Sequence, residues 1–163
     1  MRGTLLLAVL VLGAAWPAAA TAAERPISAV LTGTVTESWW WGHGSGSEFE
    51  GEGVVKGLGK VSFAGTHDEG CNVWAWPNPD ACWHSFDLTL TTASADTLVL
   101  SSRTQWSLDE VEPPLLEWTL ELGDGRFAGY SGAGIVDLLA PEYDQDGTLR
   151  YQPFRLTGVL TTE

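Results

Sequence analysis

Two cysteines and two histidines share one stretch of the chain, with His67 and Cys71 spaced as His-x3-Cys and Cys82 and His84 as Cys-x-His. Side chains of these types can hold a metal ion, and two thiols can instead close a covalent loop. Zinc sites bring cysteines together as close Cys-x2–4-Cys pairs, unlike the spacing of Cys71 and Cys82. In an exported chain the two are read as a disulfide closing the loop 71–82, since oxidising compartments trap such bonds. The chain-entropy model gives a loop of this length roughly 3 kcal/mol of stabilisation. The expectation is a disulfide, with no metal site and no cofactor.

Tryptophan is the other chemically loaded residue, with nine in 163 residues. Trp39, Trp40 and Trp41 precede Gly42-His43-Gly44-Ser45-Gly46-Ser47, which reads as a loop, and Trp74, Trp76 and Trp83 lie in or beside the loop closed by the cysteines. Side chains alternate along a strand, so three consecutive tryptophans cannot all face a core, and at least one is expected at a cavity mouth or in solvent. Exposed aromatic surface can stack on sugars or contact apolar ligands and partners. These six residues are the candidate ligand-binding set. The competing reading is a plug of loop side chains folded over one end of the domain. Trp118 and Trp106 are read as core from their alternation.

Other patterns fail on context. Gly123-Asp124-Gly125-Arg126-Phe127-Ala128 resembles a dinucleotide fingerprint, but Gly129-Tyr130-Ser131-Gly132-Ala133-Gly134 follows where a helix must stand. Gly59-Lys60 lacks the rest of a phosphate loop, with Val54 and Val61 in required positions. Gly129-Tyr130-Ser131-Gly132-Ala133 nearly spells a nucleophile elbow, yet no histidine follows His84. Glu142-Tyr143-Asp144-Gln145-Asp146-Gly147 opens like a calcium loop, but Pro153 stands where the bidentate glutamate belongs, so an Asp-Gly hairpin turn is expected. Glu48, Glu50 and Glu52 share one strand face, read as solvated rather than as catalytic carboxylates. No catalytic constellation remains.

The elements that must position these residues begin after a leader. Met1-Arg2, the apolar run Leu5–Leu12 and the small residues up to Ala23 follow the plan of a signal peptide, read as 1–22, with the mature domain at 23–163 and a secreted or periplasmic location. The apolar stretch is well short of the ~20 residues of a membrane span. Eight basic residues oppose 21 acidic ones, a formal charge of −13, which excludes a nucleic-acid partner for want of a cationic field.

The mature chain alternates in period two. Ile27, Ala29, Leu31, Gly33 and Val35 mark one strand, Phe86, Leu88 and Leu90 a second, Leu116, Trp118, Leu120 and Leu122 a third, and Phe154, Leu156, Gly158 and Leu160 a fourth. Weaker strands are read over 48–56, 60–66, 97–105 and 131–139. Gly57-Leu58-Gly59, Gly123-Asp124-Gly125 and Asp146-Gly147 punctuate them as turns. Ser107-Leu108-Asp109-Glu110 looks like a helix capping box, but Pro113 and Pro114 leave room for barely one turn. About eight short strands in about 140 residues predict an all-β fold, a single antiparallel barrel of about eight strands, with strand glycines at its corners.

Several stretches together resemble a group of uncharacterised bacterial secreted proteins: Gly53-Val54-Val55-Lys56-Gly57-Leu58-Gly59-Lys60-Val61-Ser62-Phe63, Phe86-Asp87-Leu88-Thr89-Leu90, Asp96-Thr97-Leu98 and Leu156-Thr157-Gly158-Val159-Leu160. The run Gly123-Asp124-Gly125-Arg126-Phe127-Ala128-Gly129-Tyr130-Ser131-Gly132-Ala133-Gly134 is similar to the hairpin of allene oxide cyclase-like and dirigent-like barrels. The resemblance implies an eight-stranded barrel with a small apolar cavity, and it carries no catalytic residue onto this chain. The function expected is that of an exported, non-catalytic barrel binding a small apolar or carbohydrate-like ligand, or another surface component. The alternatives are a cyclase- or isomerase-type enzyme that uses the cavity, which requires an ionisable group facing inward, and a purely structural envelope protein.

Overall fold

A computed structural model describes residues 22–72, 81–107 and 115–162. The leader, Trp74, Trp76 and most of the candidate capping box lie outside the described residues. Among the described residues nine strands follow one another: β1 (Glu24–Trp41), β2 (Gly44–Val55), β3 (Gly59–Asn72), β4 (Ala81–Thr92), β5 (Thr97–Ser107), β6 (Leu116–Gly123), β7 (Tyr130–Leu138), β8 (Glu142–Tyr143) and β9 (Leu149–Thr162). From β1 to β7 each strand pairs antiparallel with the next, β7 pairs with β9, and β9 returns to β1. The sheet is therefore a closed eight-stranded antiparallel barrel, with β8 an extra short strand on the start of β9. Closure leaves the eight barrel strands without a free edge.

Alternation decides what fills it. Leu88 and Leu90 on β4, Leu98 and Leu100 on β5, and Phe154, Leu156 and Leu160 on β9 all point inward and are buried. Phe49, Phe63, Phe86 and Phe154 form an aromatic cluster across the lumen, with ring centroids 5.3–5.7 Å apart. Phe127 is buried too, carried on the 3-10 turn Gly125–Phe127, which Asp124 caps and whose first residue, Gly125, has φ +61°. Gly57 and Gly59, at φ +89° and +91°, make the turn between β2 and β3 that their spacing predicts. Asp146-Gly147 turns β8 into β9, with Asp144 accepting hydrogen bonds from the Asp146 and Thr148 amides.

Two sequence expectations need correction. The glycine-rich run after Trp41 is not a loop: only Gly42 and His43 turn, and Gly44–Ser47 belong to β2, paired with Trp41–Ser38. Its glycines are there because tryptophan rings lie where their Cβ atoms would be, that of Trp41 over Gly44 and that of Trp39 over Gly46. Trp118 is fully buried as expected, but Trp106 is only half-buried, facing inward near the open end of the barrel. Alternation places a side chain on a face, but it does not say how deep in the barrel that level lies.

On the outer wall, Asp87 of β4 accepts hydrogen bonds from Arg103 on both carboxylate oxygens, at 2.9 and 2.6 Å, and from the Ser101 hydroxyl at 2.6 Å. Burial pushes its pKa up, but these bonds and the Arg103 charge outweigh that and hold it below the ordinary 3.8. A depressed carboxylate adds stability above its unfolded pKa and loses it as pH falls through the folded value. Asp87→Asn should therefore lower stability at pH 7 by less than about 1 kcal/mol, because the pair is exposed. The difference from wild type should shrink as pH falls and vanish once it is below the folded pKa of Asp87, in paired denaturant titrations. A gap that persists at that pH would mean the pair acts through packing rather than charge.

Candidate functional site

One end of the lumen is polar. On β3 the inward residues beyond Phe63 are Gly65, His67, Glu69 and Cys71, and on β4 they run Cys82, His84, Phe86 and Leu88. The register sets Cys71 opposite Cys82, Glu69 opposite His84 and His67 opposite Phe86. Ser45 and Ser47 of β2 stand opposite Glu69 and His67. Cys71 and Cys82 form the expected disulfide, joining directly opposed positions at the end of the β3–β4 ladder. That bond removes both sulfurs from metal chemistry and locks the register one step away from the Glu69–His84 pair.

His84 Nε2 lies 2.8 Å from Glu69 Oε2, and the Ser45 hydroxyl donates to Glu69 Oε1 at 3.2 Å. The hydrogen bond from His84 is the main reason the Glu69 carboxyl sits below its ordinary pKa, against the opposing effect of burial. The His67 and His84 rings meet edge to face with centroids 5.4 Å apart, and the Trp106 ring supports His84 at 4.8 Å. His67 is 92% buried, and burial holds its pKa below 6.5, so the ring is neutral at pH 7. Its Nε2 has no hydrogen-bond partner among the described residues, and neither have the buried hydroxyls of Ser47 and Ser102. Orphaned buried polar atoms are costly, of order 1–3 kcal/mol each, and call for an explanation.

Of these groups, Ser45, Ser47, His67, Glu69 and His84 form the floor of a cleft of about 520 Å³. Apolar side chains dominate its walls, with Leu138, Leu139, Pro141, Tyr143 and Leu149 interrupted by Thr148 and Gln152, and Trp40 lines it as well. A neighbouring depression, reached past Trp106 and Cys71, shares Trp40, Glu69 and His84 with it.

The structure divides the tryptophan set. Trp40 lines the cleft and is 84% exposed, because the β-bulge between Val35 and Glu37 shifts the alternation of β1 and turns the side chain at position 40 inward above the mouth. Trp39 and Trp41 stack on the outer wall with centroids 6.5 Å apart, and the Trp39 indole donates to Asp68 at 3.2 Å. Trp83 also lies outside, its ring where a Cβ of Gly70 would be. Trp74 and Trp76 fall outside the described residues. Sequence reasoning weighs His67 and His84 only as partners of the cysteines in a metal site and sets them aside, and it misses Glu69, which the register places opposite His84. The signal was present in the period-two file His67-x-Glu69-x-Cys71 facing Cys82-x-His84.

Glu48, Glu50 and Glu52 are exposed on the outer face of β2, as their alternation predicts. No helix among the described residues is long and apolar enough to cross a membrane. Fold and site together define an eight-stranded barrel with a buried aromatic and aliphatic core and an aromatic-rimmed, polar-floored cleft at one mouth. Comparison with known protein families, with curated proteins and with solved structures finds no match to this chain.

Proposed function

We propose that this protein is an exported, non-catalytic β-barrel that binds, in the cleft at one barrel mouth, a small molecule with one apolar face and several hydrogen-bonding groups. That is the chemistry of a carbohydrate ring or a phenolic. The observation that carries this reading is an exposed aromatic rim above buried polar atoms that lack partners. The cleft volume falls in the range of small-ligand sites, roughly 300–1,000 Å³. Trp40 supplies a stacking face, while Ser47 and His67 supply hydrogen-bonding capacity that the protein leaves unused. Export rests on the leader plan and the disulfide, and kinship with the allene oxide cyclase-like group is part of the proposal.

Intrinsic tryptophan fluorescence titrated with oligosaccharides, phenolics and lipids tests it. A saturable shift is expected with one of the first two classes. Trp40→Ala should weaken that binding roughly tenfold, the loss of one desolvated stacking contact, and should leave the melting temperature unchanged because the ring is exposed. No response to any class would overturn the reading.

One observation favours a second reading, an isomerase- or cyclase-type enzyme: Glu69 and His84 face inward and share a 2.8 Å contact. A carboxylate and an imidazole so placed can move a proton on a bound substrate. Turnover that Glu69→Gln abolishes while binding survives would select it.

A further inference from the structure

We propose that His67, Glu69 and His84 bind one divalent first-row transition metal ion, of the zinc or cobalt type, at the floor of the cleft. One ligand atom from each of the three lies within 4.8 Å of the others. Two imidazoles and a carboxylate are the donors that borderline transition metals prefer, whereas calcium and magnesium seek oxygen alone. All three project from β3 and β4, adjacent strands pinned by the Cys71–Cys82 bond, so the set rests on rigid sheet rather than on loops.

The deciding observation is His67. A bare Glu69–His84 ion pair accounts for two members of the cluster and leaves the third with a buried ring nitrogen that has no partner. A metal ion partners all three. Atoms that bind a common ion at ~2.0–2.1 Å lie about 3–3.5 Å from one another, so ligand atoms now up to 4.8 Å apart draw together by no more than about 1–2 Å on binding. On binding, Glu69 Oε2 and His84 Nε2 exchange their mutual hydrogen bond for metal ligation. Ser45 on Glu69 Oε1 and the Trp106 ring against His84 then act as the outer partners that orient the ligands. Three protein ligands leave a coordination position open toward the cleft, where a water or a ligand oxygen fits. In the loaded site the ion takes the His67 nitrogen offered above to a ligand, and the ligand meets the ion's open position and the Ser47 hydroxyl instead.

The test uses the full, untagged chain with its disulfide intact, freed of metal by a chelator and titrated with Co²⁺ alone. Expected are one saturable equivalent, visible d–d absorption and partial quenching of the tryptophan fluorescence. Zn²⁺ should displace the Co²⁺, and excess Mg²⁺ or Ca²⁺ should not. His67→Ala, Glu69→Gln and His84→Ala should each weaken binding roughly tenfold or more. His43→Ala, at the β1–β2 turn, should bind as wild type does. Circular dichroism confirms folding of each variant, and His67→Phe replaces any alanine variant that fails. Absence of saturable Co²⁺ and Zn²⁺ binding, or binding that the three substitutions leave intact, overturns the proposal. Ligand titrations of the metal-free protein read the function proposed above separately.

Discussion

Replacing Trp118 with alanine should destabilise the barrel by about 3–5 kcal/mol and lower its melting temperature by roughly 10–20 °C. Trp118 is fully buried, and its indole N–H donates to the Thr157 carbonyl at 3.0 Å. Its ring occupies a volume that three glycines keep open. A Cβ at Gly158 would run into the ring, one at Gly134 would meet both the Thr157 carbonyl oxygen and the ring at 2.7 Å, and Gly132 lies at its edge. Truncation therefore loses a large apolar surface and a hydrogen bond, and the three glycines around the ring have no side chains to lean in and refill the space. The cavity term stays near its maximum. In urea titrations Trp118→Phe should recover part of the loss. Gly158→Ala should destabilise wild type and cost less in the Trp118→Ala background, because the clash with the ring is gone while those with the Ala133 carbonyl oxygen and the Gly134 backbone remain. A Trp118→Ala loss under about 1 kcal/mol would show that this layer of the lumen is not close-packed.

That layer explains why the fold was legible and the site less so. Trp118 alternates with Glu117 and Thr119, and Phe154 with Pro153 and Arg155, so the inner face of each strand is written locally in residue type. The turns were legible for the same reason, since Gly57, Gly59 and Gly147 occupy positive φ that the turn chemistry demands. Depth and curvature were not. Trp106 obeys the inward alternation yet sits at the open end, half-exposed. The bulge in β1 that turns Trp40 into the cleft and Trp39 and Trp41 onto the outer wall has no local marker among Glu37, Ser38 and the tryptophans. The glycines at 44 and 46 read as loop because their reason is a ring from a neighbouring strand. The polar floor required one further step. Once Cys71 and Cys82 are paired on adjacent antiparallel strands, moving two residues back from the first and two forward from the second must bring Glu69 against His84. A further step of two brings His67 into the same file. The disulfide was legible, and the register it dictates carries the site.

The second large effect follows from that bond. Cys71→Ala with Cys82→Ala, or reduction of the wild type, should lower global stability by about 2–3 kcal/mol, the closure entropy of a loop spanning 11 positions in the chain-entropy model. Alanine suits the test because Cys82 is buried and a serine hydroxyl there would add an unpartnered polar atom. The loss should not be spread evenly. The far halves of β3 and β4 are held by Phe63, Leu88 and Leu90 in the packed core. The near halves carry Glu69, Gly70 and His84, which have little apolar burial of their own. Without the cross-link the near end should open by local unfolding while the far end stays closed. Hydrogen exchange reads this directly: amides of Glu69, Cys71 and His84 should lose protection well beyond the global change, while those of Phe63 and Leu90 should follow it. Affinity at the cleft should fall with them, since its floor is built on the segment that frays. Uniform loss of protection along both strands would mean that the disulfide acts on the unfolded chain alone, and that the polar end of the barrel holds its own geometry.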